Sequence, residues 1–201
     1  MTLLAISPDF ASHYQPIAVV ARAARDAGRR VAVATGPVMR PRVEADGFEW
    51  HELRLGAESN PGIVERSPAI DRFVDATRRG PIATLRLQAR DRAEDLLWQP
   101  TSVARRIADL CERIDPDDVL VDQVSFGSTL AMYALGRPFI TLVPGHPSQL
   151  PVGAERYGVP SSWPEALEPD GGDLAALEQL VDDVGRRFTD RWNGVLAALT
   201  A

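Results

Sequence analysis

The sequence contains no lysine, and all 22 of its basic residues are arginine. This absence excludes chemistry that depends on a lysine amine, such as a P-loop nucleotide site, Schiff-base catalysis or a serine–lysine dyad. The one cysteine, Cys111, cannot form an intramolecular disulfide, and no cluster of Cys and His residues has metal-ligand spacing. We therefore expect no metal site, and a buried structural thiol at Cys111.

Long apolar runs and an excess of positive charge are also missing. No run approaches the roughly 20 residues that a membrane-spanning helix needs, and no basic stretch precedes the first apolar segment. The 201 residues include 28 acidic side chains, and the formal net charge is −6, which argues against nucleic acid and anionic membranes as partners. We expect a cytoplasmic protein with a single domain over residues 1–201.

Strand-like and helix-like patterns alternate along the chain. Short apolar runs predict strands within 2–7, 29–36, 48–53, 115–123 and 137–145. Helical periodicity predicts helices at 16–27, 37–47, 69–98 with a break at Gly80, 100–114, 125–136 and 173–201. Pro16 is expected to open the first helix, and Gly28 to end it. The alternation predicts an α/β fold, a doubly wound parallel sheet of strand order 3-2-1-4-5 in a three-layer αβα arrangement.

Two polar residues fall at the same edge of this predicted sheet. His13 follows the first strand and Asp122 ends the fourth, and these strands are neighbours where ligands bind in such sheets. A carboxylate that accepts a hydrogen bond from Nδ1–H leaves Nε2 free to take a proton. The pair is therefore a candidate general base with its orienting residue. The alternatives are a surface or capping role for His13 and a helix-capping role for Asp122.

Other candidates are weaker. His146 follows the fifth strand and is a candidate pocket residue, whereas His51 is expected on an edge strand without a site role. Ser125 places a hydroxyl just after Asp122, but a helix-capping role is the simpler interpretation of this residue. The first turn, "SPDFASHYQP", contains no glycine, which excludes the usual dinucleotide and P-loop phosphate sites there.

The segment around His13 resembles the opening of a known enzyme family. Residues 12–16, "SHYQP", are similar to the G-H-x-x-P loop of family 1 glycosyltransferases of the GT-B fold, with serine in place of glycine. Three later segments, "GRRVAVAT" at 28–35, "VEADGFEW" at 43–50 and "DPDDVLVDQVSFGSTLAMYALGRPFITLVPG" at 115–145, resemble that family in the same order. The resemblance covers most of residues 1–145.

This resemblance implies roles for the pair. The histidine of the family's loop is the general base and the aspartate closing the fourth strand is its partner, which assigns these roles to His13 and Asp122. It implies the fold of the N-terminal, acceptor-binding half of a GT-B enzyme. The implied reaction is inverting transfer of a sugar from a nucleotide-sugar co-substrate to a hydroxyl, without a metal or other cofactor.

It also implies partners. Nothing after residue 145 resembles the C-terminal donor-binding domain, so the chain alone is expected to be inactive and to need that domain. An apolar surface exposed without it would favour a homo-oligomer. The expected acceptor is a small hydrophobic natural product such as a polyketide or macrolide. Its expected contacts are Phe10, Tyr14, Phe73, Trp98, Ser125, Phe126, His146 and Tyr157. Packing of helices onto the sheet is the alternative role for the aromatic residues.

Two other functions remain open. A GT-B-like half without catalysis would act as an auxiliary or binding module, and a downstream donor domain in the gene would distinguish it from the transferase. Half of a sugar epimerase of the same architecture is the second alternative, which this sequence discriminates weakly.

Overall fold

The computed structural model describes residues 1–57, 59, 68–95, 97–145 and 153–201, with the backbone only at 93–95. The strands are β1 (Thr2–Ile6), β2 (Arg30–Thr35), β3 (Glu49–Glu52), β4 (Asp118–Asp122) and β5 (Ile140–Leu142). The helices are α1 (Ala11–Asp26), α2 (Arg40–Ala45), α3 (Pro68–Arg78), α4 (Pro81–Asp95), α5 (Pro100–Ile114), α6 (Phe126–Ala134) and α7 (Gly171–Thr200), with a 3₁₀ turn at Glu165–Leu167.

Contacts divide the chain into two compact units. The first contains the sheet, α1, α2, α5, α6 and the last turns of α7, and the second contains α3, α4 and the rest of α7. The single domain expected from the sequence stays a prediction.

The sheet has the predicted order, β3-β2-β1-β4-β5, and every pair of neighbouring strands is parallel. The central strand is β1, in which Ala5 pairs with Val33 on one side and Leu120 on the other. This order brings the carboxyl ends of β1 and β4 together, because Ile6 pairs with Val121, one residue before Asp122.

Successive residues of β1 point to opposite faces of the sheet, which gives two hydrophobic cores. Leu3 and Ala5 pack with α1 and α2 in one core, whereas Leu4 and Ile6 pack with α5 and α6 in the other. Helices therefore cover both faces, as the sequence predicted. The apolar stripe of α5 includes Cys111, which is buried, and this burial raises the pKa of its thiol.

The start of α1 corrects one prediction. The helix begins at Ala11, not at Pro16, because the Phe10 carbonyl already accepts the N–H groups of His13 and Tyr14. Pro16 lies inside the helix and has no N–H to donate to the carbonyl of Ser12 four residues earlier. His13 is thus the third residue of α1, and the turn that carries it has one hydrogen bond fewer to the body of the helix.

The second unit combines α-helices with the turns of residues 153–170 in its described part. Arg86 of α4 pairs with Asp173 of α7 at 3.1 Å. Arg156 reaches α7 as well, with its Nε 2.9 Å from an Asp182 carboxylate oxygen. Ala76, Ala89, Leu177 and Val184 are the buried apolar residues that these helices contribute.

Candidate active site

Asp122 is the fixed member of the candidate pair. It ends β4, and its side chain is fully buried. Oδ1 accepts the backbone N–H of Val124 at 2.9 Å, and the Asp122 carbonyl accepts the N–H of Ser125 at 3.0 Å. The tight turn after β4 therefore holds the carboxylate in one orientation and leaves Oδ2 for the neighbouring element.

His13 supplies the other member from the first turn of α1. Its Nδ1 lies 3.0 Å from Oδ2 of Asp122, and 26% of the side chain is exposed. Because a carboxylate only accepts hydrogen bonds, this contact assigns a proton to Nδ1, and in the neutral imidazole the lone pair is then on Nε2. The predicted meeting of His13 and Asp122 is confirmed. The exposed part of the ring gives a ligand access to it.

Phe10 borders the imidazole. Its ring meets that of His13 edge to face, with centroids 6.2 Å apart and an interplanar angle of 84°. Phe10 is the residue that precedes α1, and it is half-buried. Phe10 is therefore an expected acceptor contact that lies against the candidate base.

Tyr14 is turned away from this edge. Only 2% of the residue is exposed, and it packs in the core beside Ile17 and Val43. Its hydroxyl donates to Oδ2 of Asp46 at 2.6 Å. Burial and the Asp46 carboxylate raise the pKa of Tyr14 well above its usual range. The side chain offers a ligand almost no surface, so the proposed site leaves it out.

Ser125 and Phe126 begin α6 directly after the Asp122 turn. Ser125 is at the predicted N-cap position, but its side chain makes no cap hydrogen bond, and its buried Oγ has no partner within the described part of the chain. Phe126 is half-buried. Their expected contacts with an acceptor stay predictions.

The remaining expected contacts are spread through the chain. Trp98 is half-buried and packs against the core under α5, which favours the structural alternative for this side chain. Phe73 and Tyr157 belong to the second unit, in which Phe73 is 44% exposed and Tyr157 is 39% exposed. The guanidinium of Arg92 stacks on the Tyr157 ring. His146 lies outside the described residues.

His51 lies on the edge strand β3, as predicted, and burial lowers the pKa of its imidazole. Its Nε2 lies 3.7 Å from an oxygen of Glu49, too far for a hydrogen bond. Within the described ranges, no three His, Cys, Asp or Glu side chains lie close enough to hold a metal ion, and no helix is long and apolar enough to span a membrane.

Sequence reasoning missed Asp9. Its carboxylate accepts the backbone N–H groups of Val38 and Met39, at 3.2 and 2.9 Å. Aspartate in a turn commonly accepts backbone N–H groups, so "SPDF" held a signal. The donors are 29 and 30 residues away, and no local pattern identifies them.

No family model matches this chain, and no curated protein matches it. Among solved structures, it is similar to the spinosyn rhamnosyltransferase SpnG, with a TM-score of 0.51 and 16% identity over 70% of this chain and 34% of that one. The likeness is one of fold. The glycosyltransferase SsfS6 of Streptomyces sp. SF2575 gives a TM-score of 0.46 and 22% identity over 70% of this chain and 38% of that one. The glycosyltransferase SnogD of Streptomyces nogalater gives a TM-score of 0.45 and 21% identity over 93% of this chain and 41% of that one.

These solved proteins are glycosyltransferases, and this chain spans 34%, 38% and 41% of their lengths. The parallel five-stranded sheet with helices on both faces is consistent with one half of a GT-B fold. The comparison establishes the fold, and the activity requires a separate argument from the site.

Proposed function

We propose that this chain is the acceptor-binding half of an inverting glycosyltransferase that acts on a hydrophobic natural product. The observation that carries the proposal is the hydrogen bond between His13 Nδ1 and Asp122 Oδ2, at the carboxyl edge of two neighbouring parallel strands. This edge is where doubly wound sheets bind ligands. The fold shared with a glycosyltransferase supports the same assignment.

His13 would act as the general base. Nε2 takes the proton of an acceptor hydroxyl while that oxygen attacks the anomeric carbon of a nucleotide sugar. The bond from that carbon to the diphosphate oxygen breaks, and the nucleoside diphosphate leaves with the electron pair. Attack from the face opposite the leaving group inverts the configuration. General-base catalysis of this kind contributes about 10²–10⁴-fold to the rate.

Asp122 would orient the base and stabilise the imidazolium that forms. Its two contacts, with the Val124 N–H and with His13, use one carboxylate oxygen each. Asp122→Asn is the sharpest test of this role. An asparagine side chain turned to donate to Nδ1 would favour the tautomer with the proton on Nε2, which cannot accept another.

The acceptor would lie against Phe10, whose ring borders the imidazole. Ser125 and Phe126, which follow Asp122, are the further proposed contacts. The contacts expected from the sequence at Phe73, His146 and Tyr157 stay predictions. A large apolar acceptor such as a polyketide aglycone fits an aromatic lining. The nucleotide sugar would be bound by a donor-binding domain.

Binding and turnover together test this proposal. A ¹⁵N-labelled chain titrated with a panel of polyketide and macrolide aglycones should show shifts at His13 and Phe10, and His51→Gln should bind equally well. The chain alone should transfer no sugar, whereas the chain joined to a donor-binding domain should do so.

Three results would contradict the proposal. They are steady turnover of a nucleotide sugar by the purified chain, aglycone shifts confined to residues away from His13, and full activity of Asp122→Asn in the two-domain protein. Aglycone binding without sugar transfer by the two-domain protein would point to the auxiliary binding module.

A further inference from the structure

The loop that precedes His13 is tied to the next loop of the sheet by a carboxylate. Asp9 lies between β1 and α1, and its two oxygens accept the N–H groups of Val38 and Met39, which precede α2. Hydrogen bonds from N–H groups to a charged acceptor are stronger than neutral ones, and using both oxygens fixes the orientation of the carboxylate.

Gly36 provides the space for this tie. A Cβ at position 36 would overlap the Asp9 carboxylate and lie 2.6 Å from the Asp9 Cβ, a distance that real Cβ contacts do not show. The glycine is therefore required for the close approach of the two loops. Replacing it displaces the carboxylate without removing its charge.

His13 depends on this loop more than the rest of α1 does. The buried residues Ile17, Ala18 and Ala21 hold the body of the helix, whereas the first turn has Ala11 and Tyr14 as its buried residues. The first turn starts from the Phe10 carbonyl, one residue after Asp9. Because Pro16 has no N–H, the Ser12 carbonyl of this turn receives no hydrogen bond from it. Asp122, in contrast, is set by its own strand and turn. The separation between Nδ1 and Oδ2 thus depends on where the loop places the first turn.

We propose that Asp9 is a positioning residue, which holds the first turn of α1 so that His13 donates from Nδ1 to Asp122 and presents Nε2 to the acceptor. The inference rests on the proposed function, because only a catalytic base needs Nε2 free. Other ties keep the loop folded without Asp9. The Thr35 hydroxyl donates to the Pro8 carbonyl at 3.2 Å, and the Ser7 N–H donates to the Ala34 carbonyl at 3.1 Å.

The test measures the His13 ring directly in the full chain. Long-range ¹H–¹⁵N correlation of the ¹⁵N-labelled protein reports the tautomer and the solvent exchange of each imidazole. The chain has only three histidines, so His51→Gln and His146→Gln assign the signals. The variants are Asp9→Ala, Asp9→Asn and Gly36→Ala.

Asp46→Ala is the matched control. Asp46 also ties α1 to the chain around α2, through the Tyr14 hydroxyl and Arg22, but it does not contact the loop before His13 through any described hydrogen bond. Its loss should lower the melting temperature without changing the tautomer or the Nδ1 exchange of His13.

In the unchanged chain, His13 should carry its proton on Nδ1. Asp9→Ala and Gly36→Ala should mix the tautomers and speed exchange of the Nδ1 proton roughly tenfold or more, as expected for local opening. Asp9→Asn, which keeps one oxygen acceptor, should restore part of the protection and keeps the test available if the alanine variant does not fold.

Exchange and tautomer left unchanged in both Asp9→Ala and Gly36→Ala, with only the melting temperature lowered, would overturn the positioning role and leave the proposed function standing. A proton on Nε2 in the unchanged chain would instead overturn the base geometry itself. The two failures are therefore distinguishable.

Discussion

Tyr14→Phe removes one hydroxyl and leaves the packing of its ring in place. The hydroxyl is 2.6 Å from the Asp46 carboxylate, and the residue is 2% exposed. A hydrogen bond to a charged group contributes about 1.5–3 kcal/mol. Asp46 keeps the guanidinium of Arg22 at 2.8 Å, and 26% of its side chain is exposed, so it is not left without a partner. We therefore expect the free energy of unfolding at neutral pH to fall by about 1–2 kcal/mol.

The same variant should change how the free energy of unfolding depends on pH in the alkaline range. Burial and Asp46 raise the pKa of Tyr14 in the folded chain, whereas the unfolded chain ionises this hydroxyl near its usual pKa of about 10. Above that pH the folded state retains the proton longer, so the free energy of unfolding of the unmodified chain falls by up to about 1.4 kcal/mol per pH unit. Tyr14→Phe removes this contribution.

Urea denaturation at neutral pH and above pH 10 measures both effects. No lysine titrates in this range, and the raised pKa of the Cys111 thiol contributes equally to both proteins. Tyr133→Phe is the control, because that ring is 59% exposed, and it should change the stability by less than about 0.5 kcal/mol. A Tyr14→Phe protein with unchanged neutral stability and an unchanged alkaline slope would refute the assignment of this hydroxyl to Asp46.

Two further predictions concern the edge strand β3 and the core under α5. His51→Gln should make the free energy of unfolding depend less on pH in the acid range. Burial lowers the pKa of His51 in the folded chain, so the neutral imidazole contributes its full stabilisation above the unfolded pKa of about 6.5 and loses it as the pH falls below that value. Equal slopes between the two proteins in urea denaturation from about pH 7.5 to 5.5 would contradict this. Ile107→Ala, in the core under α5, should lower the free energy of unfolding by about 2–5 kcal/mol. Ile140→Ala, at a residue of β5 that is 58% exposed, should lower it by under about 1 kcal/mol in the same assay. Equal losses of stability would contradict the placement of these side chains.

The sheet and the candidate pair were predictable because both follow from patterns that repeat along the chain. Short apolar runs that alternate with helical segments along the chain define five strands, and the right-handed crossover rule leaves few possible strand orders. Once β1 and β4 are neighbours, the residues that follow and end them share an edge, which brings His13 and Asp122 to the same edge of the sheet.

The start of α1 was not predictable from local preference. Proline favours the first helical position, yet here the helix begins five residues earlier, where Ala11 is buried against the sheet. That shift also explains Tyr14. With the helix extended to Ala11, Tyr14 falls on the same buried stripe as Ile17, Ala18 and Ala21, so helical periodicity directs it inward. The partners of Asp9 depend on tertiary contacts between loops distant in sequence, which no local pattern encodes.

The most direct test of the central claim is the rate of sugar transfer by the chain joined to a donor-binding domain, with His13 and with His13→Ala. If His13 Nε2 takes the acceptor proton, His13→Ala should lower kcat by about 10²–10⁴-fold. Its aglycone dissociation constant should change little. Its melting temperature is expected to fall, because the change leaves Oδ2 of the buried Asp122 without its hydrogen-bond donor, so both proteins are compared at a temperature where they are folded. Transfer by His13→Ala at the unmodified rate would contradict the account.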